Sequence, residues 1–140
     1  MATLAALRRM LAAVLLIGMT GTAVELLLLR HDEDTIQLVP LVLLGAGVPA
    51  VAWQAMARSR AGAIVVRAVM VLFIAAGSAG VYYHYRANVE FQREGDPSLS
   101  GRALLWKAME AKVPPALAPG VMIQLGLLGL AYTYRFRKEE

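Results

Sequence analysis

Between Leu11 and Leu29 the only side chains able to hydrogen-bond are those of Thr20, Thr22 and Glu25. A helix of about 20 apolar residues is as long as the hydrocarbon core of a bilayer is thick. Three further runs repeat the pattern, so spans are expected at about residues 10–30, 36–57, 63–84 and 115–135. Backbone in lipid must satisfy its own hydrogen bonds, and a helix does so within one segment. The sequence therefore predicts a single domain over residues 1–140, an all-α membrane protein. Its four transmembrane helices would form an antiparallel bundle, with a short amphipathic interfacial helix between the third and fourth.

Composition agrees. Hydrophobic residues make up 59% of the chain and mean hydropathy is +0.57, against about 45–50% apolar residues in soluble domains. A soluble fold of this size would leave much of that surface in contact with water. The net charge of +4 does not point to nucleic acid, because the cations stand at the ends of the apolar runs, where they anchor helices to a membrane. The absence of cysteine excludes disulfides, thiolate metal sites and cysteine nucleophiles.

Arg8-Arg9 before the first run and Gly21-Thr22-Ala23 within it also fit a signal peptide. The run continues through Val24 to Leu29, so a retained span is expected. Pro40 and Pro49 fall inside the second span, and Pro49 should kink it. Trp53 is placed as an interfacial anchor. In the third span, the small residues from Ala75 to Gly80 let a neighbouring backbone approach closely. In the fourth, Gly120, Gly126 and Gly129 do the same.

The long connection after the third span should hold the amphipathic helix, at about residues 97–112. Asp96 would cap it, Pro97 would begin it and Pro114-Pro115 would end it. Leu105, Trp106, Met109 and Val113 recur at helical spacing, with Trp106 as a second interfacial anchor.

Arginine and lysine set orientation. With four spans, Arg8, Arg9, Arg58, Arg60, Arg67, Arg135, Arg137 and Lys138 share one side. The acidic turn Asp32-Glu33-Asp34 lies on the other. Both termini are expected in the cytoplasm of a multi-pass inner (plasma) membrane protein, with His31, His84 and the long connection outside.

Few residues point to chemistry. Glu25, a carboxylate inside a span, is costly there, by about 2.5–3.5 kcal/mol at mid-helix on insertion scales. It reads either as a proton or cation site or as a hydrogen-bonded brace. His31, His84 and Glu90 complete the ion- or proton-binding candidates, because they reach one membrane surface. Histidines on separate spans are the residues a metal or an axially ligated haem would use, but no cofactor is expected: no His-x-x-x-His or Glu-x-x-His spacing accompanies them. Ser78, Gln124 and Tyr83 are polar brace candidates; Gln124, if buried, needs a partner such as Ser78 or Glu25. Tyr82, Tyr83 and Tyr85 read first as an aromatic belt, and beside His84 they can also line a quinone or lipid-headgroup pocket.

No catalytic motif is present. The expected function is that of a non-enzymatic accessory, assembly or scaffolding subunit, with the bilayer and a membrane-protein partner or a second copy of itself as partners. The alternative is a small proton- or cation-coupled transporter or ion-binding protein using Glu25 and His84.

Overall fold

A computed structural model describes residues 2–31, 33–111 and 117–134. Among these residues every regular element is a helix: α1 Ala2–Leu28, α2 Thr35–Ala57, α3 Arg60–Gly95, α4 Gly101–Met109 and α5 Ala118–Tyr132. Three of them (α1, α2 and α3) are long and apolar enough to cross a membrane. The 15 residues of α5 rise only about 22 Å, against roughly 30 Å of hydrocarbon. Asp32, Val113, Pro114, Pro115 and the segment from Arg135 to Lys138 lie outside the described residues.

The outer surface of the long helices is apolar: Ile17 is 74% exposed and Val42 67%. The inner surface is closely packed. Leu15, Met19, Leu44, Val51, Val66, Met70 and Phe73 are completely buried and form one core between α1, α2, α3 and α5. Gly47 makes the notch in α2 that admits Phe73 and Met19; a Cβ there would stand 3.0 Å from the Phe73 ring and 2.8 Å from the Met19 sulfur. On α3, Gly77 lies against Pro119 and Ile123 of α5; on α5, Gly126 and Gly129 lie against Met70 of α3. Gly120 has nothing within 4 Å of its missing Cβ and plays no part in this contact. Within the small-residue stretch of α3, Gly77 and Gly80 meet α5, while Ser78 points outward.

The turns follow from local chemistry. At the end of α1, the His31 amide donates to the Leu26 carbonyl and the Arg30 amide to that of Leu27. This is a Schellman cap, with Arg30 in the left-handed conformation at φ 53°. Left-handed backbone costs a non-glycine residue roughly 1–2 kcal/mol, and glycine's greater backbone entropy returns only part of that. Arg30→Gly is therefore expected to raise the thermal unfolding midpoint in detergent, by the equivalent of about 0.5–1 kcal/mol. A lower midpoint would mean that the arginine side chain contributes more than its backbone costs. At the second turn, Ser59 caps α3 by accepting from the Gly62 amide at 2.9 Å.

The long connection after α3 differs from expectation. Asp96 ends α3 and does not begin α4: its carboxylate accepts from the Ser98 amide at 3.0 Å and the Ser98 hydroxyl at 2.6 Å. An aspartate that bonds the backbone two residues on makes a turn of its own, which here competes with a helix cap. Helix α4 starts after Ser100, at Gly101, which takes a left-handed φ of 57°. It is shorter than the predicted 97–112. It packs on α3 through Leu104 and Ala108, leaving Leu105, Trp106 and Met109 exposed.

The hydrogen bonds to Ser98 hold the Asp96 carboxyl below its ordinary pKa. A depressed carboxylate contributes order that is complete above its unfolded-state pKa and lost as pH falls through the folded one. The 96–100 turn is thus expected to hold at pH 5 and to loosen below about pH 4. Amide exchange at Ser98, followed by NMR from pH 5 downward to about pH 2.5, is the check; pH-independent exchange after correction for intrinsic rates would contradict it.

Candidate functional site

Packing between α2 and α3 is confined to one end of the two helices. The buried positions of α2 run from Leu44 to Gln54 and those of α3 from Gly62 to Gly77. Beyond these, α2 before Leu44 and α3 after Gly77 contribute no buried residue. Between them lies a cavity of about 530 Å³, completed by the end of α1 and the start of α5. That volume is within the roughly 300–1,000 Å³ range of small-molecule sites. Most of the lining is aliphatic, including Leu26, Val39, Pro40, Ala76, Gly80 and Met122.

Polar groups gather where α1 gives way to α2. His31, Asp34, Gln37, Tyr83 and His84 all line the cavity. The Schellman cap turns the chain so that His31 follows directly on α1, and its ring lies 6.2 Å from that of His84, with the planes 19° apart. Both histidines are half-buried. The side chain of Gln37 accepts from the Glu33 amide at 3.2 Å, closing the first turn of α2.

The other candidates are placed elsewhere. Glu90 is exposed and paired along α3 with Arg86 at 3.1 Å. Glu25, Ser78 and Gln124 are all exposed on the outside of the bundle. The expected burial of Gln124 is therefore not found; its helix buries Met122, Leu125, Gly126 and Gly129 instead. The signal for the inward face of α5 was its glycines, since Gly126 and Gly129 meet α3 while Gln124 lies on another side. Trp53 and Trp106 are exposed, at opposite ends of the molecule's long helices. Among the described residues, no group of three or more His, Asp and Glu side chains is placed to share a metal ion.

Three further polar positions hold the helices together or lie buried between them, and of these Gln54 escaped the sequence reading. Gln54 is completely buried, at the end of α2, and neither amide atom has a hydrogen-bond partner among the described residues. Arg67, predicted as part of a basic connection, is in α3 and donates to the Thr133 carbonyl at the end of α5. A cation there also opposes the negative end of the helix dipole. Asn88 donates to the Ala108 carbonyl at 3.0 Å and ties α4 to α3. From the sequence, Asn88 and Glu90 after Arg86 are the residues that could fold the long connection back onto the helix ends, and Asn88 bonds that connection at Ala108.

The fold defines a small, all-helical protein with three helices suited to a membrane and one apolar crevice with a histidine pair at its polar end. No protein-family model, curated protein or solved structure matches the chain.

Proposed function

We propose that this chain is a four-span, non-enzymatic membrane protein, an accessory, assembly or scaffolding subunit that docks a partner outside the plasma (inner) membrane. In this reading α5, with its flanking apolar residues, is the fourth span. Its contacts with α3 support an antiparallel pairing: Gly77 meets Pro119, and Met70, further back along α3, meets Gly126 and Gly129, further on along α5. The termini are placed in the cytoplasm on the strength of the basic residues around Arg8, Arg58 and Arg67.

The observation that carries the proposal is the outer hairpin of α3 and α4. At 36 residues, α3 rises about 54 Å, far more than the bilayer core requires. Phe91 stands about 10 Å beyond His84 along that helix and is 70% exposed. Trp106 on the adjoining α4 is 66% exposed. Aromatic side chains held outside the apolar segment on a rigid hairpin resemble the anchors that dominate protein interfaces.

The test is purification from native membranes in a mild detergent, with Phe91→Glu and Trp106→Glu as variants. The wild-type chain should migrate with a defined companion, or with itself, on a native gel, and the double variant should not. A monomeric wild-type chain, or a complex indifferent to both substitutions, would sink the idea. The transporter reading using Glu25 with His84 has less support: His84 lines the crevice, whereas α1 contributes Leu26 at that level and turns Glu25 outward.

A further inference from the structure

We infer that the crevice between α2 and α3 binds one uncharged amphiphile with a carbonyl-bearing head and a hydrocarbon tail, the chemistry of an isoprenoid quinone. The tail's place follows from the lining. Pro40, Val39, Ala76 and Gly80 present aliphatic surface and no hydrogen-bonding side chain. Lipid is as apolar as this lining, so an alkyl chain alone gains little by entering. The head must supply the preference.

The polar end selects the head's charge. Among the described residues, no arginine or lysine lines the crevice and Asp34 does. A phosphate head would therefore meet a carboxylate and no cation, the reverse of the charge-assisted contacts that phosphate recognition uses. An uncharged carbonyl head is matched. Each neutral imidazole offers one N–H donor, and the rings of His31, in the turn after α1, and His84, on α3, stand 6.2 Å apart. Tyr83 and Gln37 border the same end. Donors on two separate segments, the turn after α1 and helix α3, can each bond one carbonyl of a head that carries two.

The inference rests on the membrane reading, which supplies the ligand, but not on the accessory role. Binding and partner capture are separate measurements, so the failure of one is distinguishable from the failure of the other.

The probe is decylubiquinone, titrated into the full chain in dodecyl maltoside micelles, with bound ligand read by equilibrium gel filtration. One saturable site per chain is expected. His84→Leu keeps the apolar volume and removes one donor, and should weaken binding about tenfold. Ala79→Phe, which fills the crevice from its exposed rim, should abolish it. Decylbenzene has the same tail without carbonyls; it should bind at least about tenfold more weakly and ignore His84→Leu. Thermal melts of both variants establish that they fold; should His84→Leu fail to fold, the wild-type preference for decylubiquinone over decylbenzene still decides. Three results would overturn the inference: no saturable site, equal affinity for the two probes, or displacement of decylubiquinone by equimolar dioleoylphosphatidylglycerol.

Discussion

Gly126→Leu will force α3 and α5 apart and lower the unfolding midpoint in detergent more than any comparable change on the rest of α5. A Cβ at this position would stand 2.8 Å from the Met70 carbonyl oxygen, 2.6 Å from Ile74 Cγ1 and 3.3 Å from the Ile74 amide nitrogen. Two of these atoms belong to the backbone of α3 and cannot rotate away. The helices must separate, and in lipid no hydrophobic force brings them back. Leucine gains up to about 1 kcal/mol over glycine in helix propensity. Overpacking against backbone costs about 1–3 kcal/mol or more, so the steric loss wins. Gly120→Leu is the control. Nothing lies within 4 Å of that Cβ, and its midpoint should not fall. Equal midpoints for the two variants would show that α5 does not bear on α3 in this way.

Phe73→Ala should be the most damaging truncation in the bundle. The ring is completely buried, and it fills the notch that Gly47 leaves in α2 beside Met19. In soluble cores such a change costs about 3–5 kcal/mol, as a transfer term plus a cavity term. Here the transfer term shrinks, because the unfolded reference in lipid is itself apolar. The cavity term remains, so a loss near the lower end of that range is expected, measured by unfolding in mixed micelles with increasing dodecyl sulfate. Leu72, its neighbour, is 53% exposed, and Leu72→Ala should stay within about 0.5 kcal/mol of wild type. Losses of similar size would mean that α2 and α3 do not meet at this notch.

Both predictions concern what lies against what, and that is where the sequence was least legible. The apolar runs announced helices at nearly every place where one occurs, because a long stretch without hydrogen-bonding side chains has few other stable forms. The phase of those helices was hidden. A helix with a single polar side chain has no polar face to mark the outside, so Gln124 read as buried and is exposed, and Gln54 passed without notice and is completely buried. Asp96-Pro97 read as a helix start because both residues favour one. The carboxylate instead closes a turn on Ser98, and α4 begins at Gly101.

The sequence by itself determined that this chain is helical, that much of it suits lipid, and where the long polar connection falls. Local length and hydropathy suffice for that, since each apolar segment satisfies its own backbone. Tertiary structure alone decided that α2 and α3 pack at one end and part at the other, leaving a crevice, and that His31 and His84 meet at its polar end. Residues 53 positions apart are brought together by a cap that redirects the chain after α1 and by glycines that set how closely α3 and α5 approach. Such contacts depend on the fit of several helices at once, and no single segment encodes them.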